Sequence, residues 1–312
     1  MGEHIEMSLT QTMPIMINQT VAMFLMMAVG IVLFKTKRLD NQGAAQMANV
    51  ALYVAGPAIT ITAFATTFDA EKLVAGGLCM LLTVLFTLGS ATIGWLVYRD
   101  RQRISQMGIM ISNMGFMGIP LVQAVLGEEY VFYVSACIAA QIPITFTYGT
   151  WLISQDKSEV SPKRILSNPA IIAVFVGVAL FFASIELDGI AKATASGLSG
   201  LNTGLAMIVL GSYLAQADLR GILRNKNLYL THFIRLVVVP LIIVAILWVM
   251  PLSTPIKLTL LIAFAAPSGT VTAIFPQMFN KDYRFGAGLV SSSTLLSLLT
   301  MPIMLSIGLM VF

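Results

Sequence analysis

Residues 111–123 read ISNMGFMGIPLVQ. This apolar segment carries Asn113, Gly115, Gly118 and Pro120 in its middle, where a plain membrane helix keeps an unbroken run of apolar side chains. A second segment of the same kind, AAPSGTVTAIFPQMF, spans residues 265–279. Proline lacks an amide hydrogen and its ring clashes with the carbonyl one turn earlier. Pro120 and Pro276 are therefore expected to open their helices near mid-membrane. Freed backbone groups are tolerated at that depth only where protein or a watery cavity satisfies them. Ser112, Asn113, Ser268, Thr270, Thr272 and Gln277 supply polar side chains around the breaks, and together with Gly115, Gly118, Pro120, Gly269 and Pro276 they are the candidate substrate-binding residues of the two segments.

The surroundings of the two segments are just as apolar. Of 312 residues, 57% are hydrophobic and 10% are charged, against roughly 25% charged in an ordinary soluble domain. Ten apolar stretches follow one another: 12–34, 42–65, 73–98, 104–126, 130–154, 169–185, 191–215, 228–250, 255–278 and 285–312. Each approaches the roughly 20 residues that a membrane-crossing helix requires. The reading is an all-α polytopic membrane protein with ten transmembrane helices. The first stretch is not read as a cleavable signal, because acids rather than basic residues precede it.

Lys and Arg are retained on the cytoplasmic side of short loops. On alternate connections stand Lys35, Lys37 and Arg38; Arg99, Arg101 and Arg103; Lys157, Lys163 and Arg164; Arg220, Arg224 and Lys226; and Lys281 with Arg284, fourteen in all. The opposite connections hold only Lys72, Lys192 and Lys257. Both termini are thus expected outside a cell membrane. The net charge of +4 is dispersed in small clusters and reads as a topology signal, so no nucleic-acid partner is expected.

Five spans precede the connector at 155–168 and five follow it. Pro14 and Pro169 lie 155 positions apart, and Pro120 and Pro276 lie 156 apart, about half the chain. Because five is odd, a second copy enters the membrane from the opposite side. That predicts two inverted five-helix repeats, residues 1–154 and 169–312. Such repeats are typical of secondary transporters that handle substrate where two discontinuous helices meet. The half-helix N-termini there favour an anion.

On NMGFMGIPLV followed by LGEEY (126–130), on the Gln of IAAQIP (138–143) and on PQMFNKDY (276–283), the chain resembles the auxin efflux carrier family over nearly its whole length. The resemblance implies a sodium/proton-antiporter-like fold in which the broken helices four and nine cross at Pro120 and Pro276. It implies an elevator mechanism, with spans three to five and eight to ten as the moving transport domain. Spans one, two, six and seven would form a scaffold that dimerises. The family's Asn before the first break corresponds to Asn113, and its Gln on the fifth helix to Gln141. The stretch AGPAITIT on span two is where substrate selectivity would be set. The substrate class implied is a small organic anion, a carboxylate such as malate or an auxin-like acid.

Coupled carriers usually place an ionisable group at depth, yet every Asp and Glu of this chain falls at or near a loop. A carboxylate proton relay is therefore not expected, and transport driven by the anion gradient, by voltage or by exchange is. A sodium-coupled symporter of the bile-acid type is the alternative. Arg235 is the one clear charge inside a span; it either grips a substrate carboxylate, or snorkels to the cytoplasmic surface or ties down carbonyls of a broken helix. No paired aspartates, HExxH or Ser/His arrangement at depth supports an enzyme. Cys79 and Cys137 sit within spans as small apolar groups, and neither a cofactor nor a metal is expected.

Overall fold

The computed structural model describes residues 9–216 and 226–312. His4, Asp218, Arg220 and Arg224 lie outside the described residues. Everything described is helical or loop, apart from one isolated backbone pairing between Ser112 and Ser268. Among the described residues, seven helices are long and apolar enough to cross a membrane: Ile17–Lys35, Asn41–Phe64, Ala70–Tyr98, Glu128–Ser154, Gly189–Gln216, Asn227–Val249 and Tyr283–Val311. They coincide with seven of the ten expected spans. Spans four, six and nine instead contain shorter apolar helices, Met114–Val125, Pro169–Phe182 and Thr254–Ala265. Spans four and nine are short because each is split in two.

Loop carboxylates and amides explain where several helices start. Asp40 accepts from the Gly43 N–H at 2.7 Å, Asp69 from Glu71 at 2.8 Å and Asp282 from Phe285 at 3.0 Å. Asn168 accepts from Ala170 N–H at 2.9 Å, with Pro169 at the first helical position. An N-cap of this type satisfies a donor that the helix cannot satisfy itself. In the connector, Asp156 accepts from both the N–H and the hydroxyl of Ser158, which holds its carboxyl below the usual range. These acids thus have structural work at the ends of the bundle.

Three prolines mark places where a helix widens rather than stops. Pro57, Pro120 and Pro240 each follow by two positions a five-residue turn of i→i+5 hydrogen bonding, at Ala51–Ala55, Met114–Gly118 and Ile234–Val238. The carbonyl that each ring would strike lies four residues back, inside the widened turn. Widening moves that carbonyl aside and keeps the helix going.

Small residues set the closest helix approaches. A Cβ on Gly211 would stand 2.0 Å from the Met27 carbonyl oxygen, and one on Gly30 2.2 Å from that of Ile208, so spans one and seven touch backbone to backbone. Span two packs on spans six and seven, span three on spans four and five, and both halves of span nine on span ten. Span one also touches Ile119–Val125 and span ten.

Candidate functional site

The two interrupted segments meet. Ile111 leaves the helix Arg103–Met110 in extended conformation, and Ala266 does the same after Thr254–Ala265. Pro267 enforces the second exit, because the residue before a proline is kept out of the helical region. The exposed backbones then pair antiparallel across Ser112 and Ser268. Asn113 N–H donates to the Pro267 carbonyl and Gly269 N–H to the Ile111 carbonyl, both at 2.9 Å. A Cβ on Gly269 would come within 2.7 Å of the Ile111 side chain, so this approach requires glycine.

Side chains from other helices satisfy what remains. Gln141 is oriented by its contact with Ser112: its amide nitrogen donates to the Ser112 carbonyl and its oxygen accepts from the Ser112 N–H, each at 3.1 Å. The Ser112 hydroxyl donates to the Ala263 carbonyl, and that of Ser268 to Gly108 at 2.8 Å. The Ser293 hydroxyl accepts from Ser268 N–H at 3.3 Å. Arg235, fully buried, donates from Nη2 to the Ala266 carbonyl at 2.7 Å and from Nη1 to that of Ile109 at 3.5 Å. Both carbonyls lie at C-terminal ends of half-helices, where partial negative charge accumulates. A cation is thus used to satisfy backbone at the crossing, as the last of the readings of Arg235 anticipates.

A cavity of about 260 Å³ borders the crossing. Of the residues singled out from sequence, Ser112, Asn113, Gly115, Gln141, Gly269 and Thr270 line it. Gly118, Pro120, Ser268, Thr272, Pro276, Gln277 and Arg235 do not. Pro120 lies in the first turn after the widened segment, and Pro276 lies within Val271–Met278. The breaks therefore precede these prolines, at Ile111–Asn113 and Ala266–Gly269, which corrects the expectation that the helices open and cross at Pro120 and Pro276. Gln277 is exposed, whereas Ser268 and Thr272 are buried.

Gly56, Pro57 and Thr60 of the AGPAITIT stretch line the cavity from span two, together with Tyr53 just before it. The cavity also has chemistry that the sequence reading did not single out. Asn202 reaches it from span seven and donates from Nδ2 to the Gly115 carbonyl at 3.4 Å. It is the single asparagine of the helix Gly189–Gln216, which is the signal that would have found it. Phe116 and Phe146 supply aromatic wall. Asn113 is buried, and its Nδ2 has no hydrogen-bond partner in the protein. Buried donors are nearly always satisfied, so this amide, on a residue that lines the cavity, is a donor that the protein leaves without an acceptor. No described Asp or Glu is buried.

Long apolar helices around two broken, mutually paired segments define a multi-pass membrane protein with a polar centre. The family model described as a membrane transport protein matches residues 15–163 and again 157–305. The chain belongs to this family of transporters, the auxin efflux carrier family. None of the curated proteins matches it.

Proposed function

We propose that this chain is a secondary transporter of small organic anions, working by elevator-type alternating access in a cell membrane. One observation carries the reading: an antiparallel backbone crossing beside a cavity lined by Asn113, whose buried amide nitrogen has no partner in the protein. Donors without a nearby acid suit a carboxylate. Half-helices beginning at Met114 and Val271 border the same cavity, and their N-terminal dipoles favour negative charge.

In this reading the ten spans form two inverted five-helix repeats. Ser112 and Ser268 stand 156 positions apart, the spacing of Pro120 and Pro276, and their antiparallel pairing supports opposite directions for the two copies. Spans one, two, six and seven form a scaffold that dimerises, and the remaining six carry the crossing as a moving domain. The fourteen basic residues mark the cytoplasmic ends, with both termini outside. The cavity extends to Asn168–Ala170, beside the 155–168 connector, and so belongs to an inward-facing state.

Loop acids serve as helix caps, which leaves no buried carboxylate among the described residues to bind a driving proton. The anion's own gradient, exchange and voltage drive transport instead. Voltage contributes roughly 2.3 kcal/mol per charge per 100 mV and favours export from a negative interior. The test is uptake of labelled carboxylates, malate first and then an aromatic acid, into proteoliposomes under a potassium/valinomycin potential without sodium or pH gradients. Saturable, voltage-dependent flux is expected. Flux that appears only with sodium would move the assignment to the symporter class, and no flux of any carboxylate under any gradient would overturn it.

A further inference from the structure

We propose that a groove between spans three and five binds the phosphate headgroup of an anionic phospholipid. The groove holds about 390 Å³ and lies at the end of the bundle that carries the basic connections. Its floor is apolar, formed by Leu88 and Ala91 of span three and Leu152 of span five. Trp95, Tyr148 and Trp151 stand along it, with the rings of Tyr148 and Trp151 5.7 Å apart. Trp95 and Trp151 are 50% and 37% exposed. Indole and phenol rings in that position sit at headgroup level, apolar body in lipid and polar edge in water.

The rim is cationic and fixed. Arg99 and Arg103 border the groove together with Asp100, leaving an excess of one positive charge. Arg99 ends the span-three helix in the left-handed region, at φ 49°, which is costly for a side chain of this size. The surroundings hold it there. Gln106 is buried, and its side-chain Nε2 donates to the carbonyls of Arg99 and Arg101, the latter at 2.9 Å. An amide that clamps two carbonyls of a three-arginine turn presents its guanidinium groups from a rigid backbone, and guanidinium matches phosphate oxygens two at a time.

Charge complementarity selects the occupant. The orientation in the proposed function, on which this inference rests, puts the rim at the cytoplasmic leaflet, where anionic lipids concentrate and attract nearby basic residues. A zwitterionic headgroup gains little from the net charge, and a free phosphate leaves the apolar floor uncovered. A lipid seated here binds helices that belong to the moving domain in that reading, and so ties their position to the inner membrane surface.

The experiment is native mass spectrometry of the delipidated full-length protein, offered equal amounts of phosphatidylglycerol and phosphatidylcholine with matched acyl chains. The expected result is a preference for phosphatidylglycerol of about fivefold or more. It should vanish in R99Q/R103Q, while W95L/W151L weakens the binding of both lipids. Parity of the two lipids on the wild type would overturn the proposal, as would an unchanged preference in R99Q/R103Q. Displacement by millimolar inorganic phosphate would reassign the rim to a soluble anion and overturn the lipid assignment. Orientation is read separately, from Gln102→Cys labelled in intact cells. Labelling by an impermeant reagent would overturn the cytoplasmic placement without touching the lipid preference.

Discussion

The Arg235 guanidinium donates to the carbonyl of Ala266 at 2.7 Å, 31 residues along the chain and one residue past the end of a half-helix. A cation in a membrane span is costly unless the protein supplies partners. Here the partners are helix ends rather than an acid.

Arg235→Gln is therefore expected to act through stability. Leaving two buried carbonyls short of a donor costs about 1–3 kcal/mol each. Thermal unfolding of the purified protein should move down, with kcat falling and KM for a transported carboxylate nearly unchanged. A large rise in KM at unchanged unfolding temperature would instead make Arg235 the substrate's countercharge.

Pro120 and Pro267 are expected to differ. Pro120→Ala removes the ring that widens Met114–Gly118 but leaves the break at Ile111–Asn113 held by Ser268, Pro267 and Gln141. Its turnover should stay within about threefold of wild type, under about 0.7 kcal/mol of barrier. Pro267→Ala returns a buried N–H to the break and lets Ala266 relax toward helix, at about 1–3 kcal/mol. Transport assays and unfolding curves on both variants decide the matter; a severe loss in Pro120→Ala alone would put the essential distortion back at that ring.

The outline of this molecule was legible because the bilayer restricts what a chain can do. Apolar runs predicted where long helices lie, and two interrupted segments flagged the centre. The location of the break within each segment was not legible. Proline chemistry is local, so it pointed to Pro120 and Pro276, whereas the break is held by pairing between residues 156 positions apart. Gln141 was reached only through a family pattern, since one glutamine in an apolar span says nothing about the Ser112 backbone it meets. Asn202 was passed over for the same reason: its meaning comes from Gly115, 87 residues away.

Glycine at 211 is expected to be indispensable for assembly of spans one and seven. Any Cβ there meets the Met27 carbonyl at 2.0 Å, so backbone and not a flexible side chain would have to move. Gly211→Val should lower the unfolding temperature more than Gly204→Val, whose Cβ meets nothing within 4 Å. Overpacking of this kind costs about 1–3 kcal/mol. Equal stability of the two variants would show that spans one and seven are held apart in the membrane.

Asn113 and Asn202 border the same cavity with different commitments, and their alanine variants should separate binding from movement. The Asn113 Nδ2 has no protein partner, so Asn113→Ala orphans nothing through that nitrogen and should leave the unfolding temperature near wild type. It removes a donor to a charged ligand, worth about 1.5–3 kcal/mol. KM should rise about 10- to 150-fold, since 1.4 kcal/mol is a factor of about ten. Asn202 instead bonds the Gly115 carbonyl from span seven at 3.4 Å. If the crossing moves against span seven, that bond exists in only one state, and Asn202→Ala should shift the state populations. Crosslinking between cysteines placed on spans two and five, read with and without substrate, would report that shift. Wild-type KM in Asn113→Ala would remove the amide from the binding site, and unchanged crosslinking in Asn202→Ala would show that its bond does not distinguish the states.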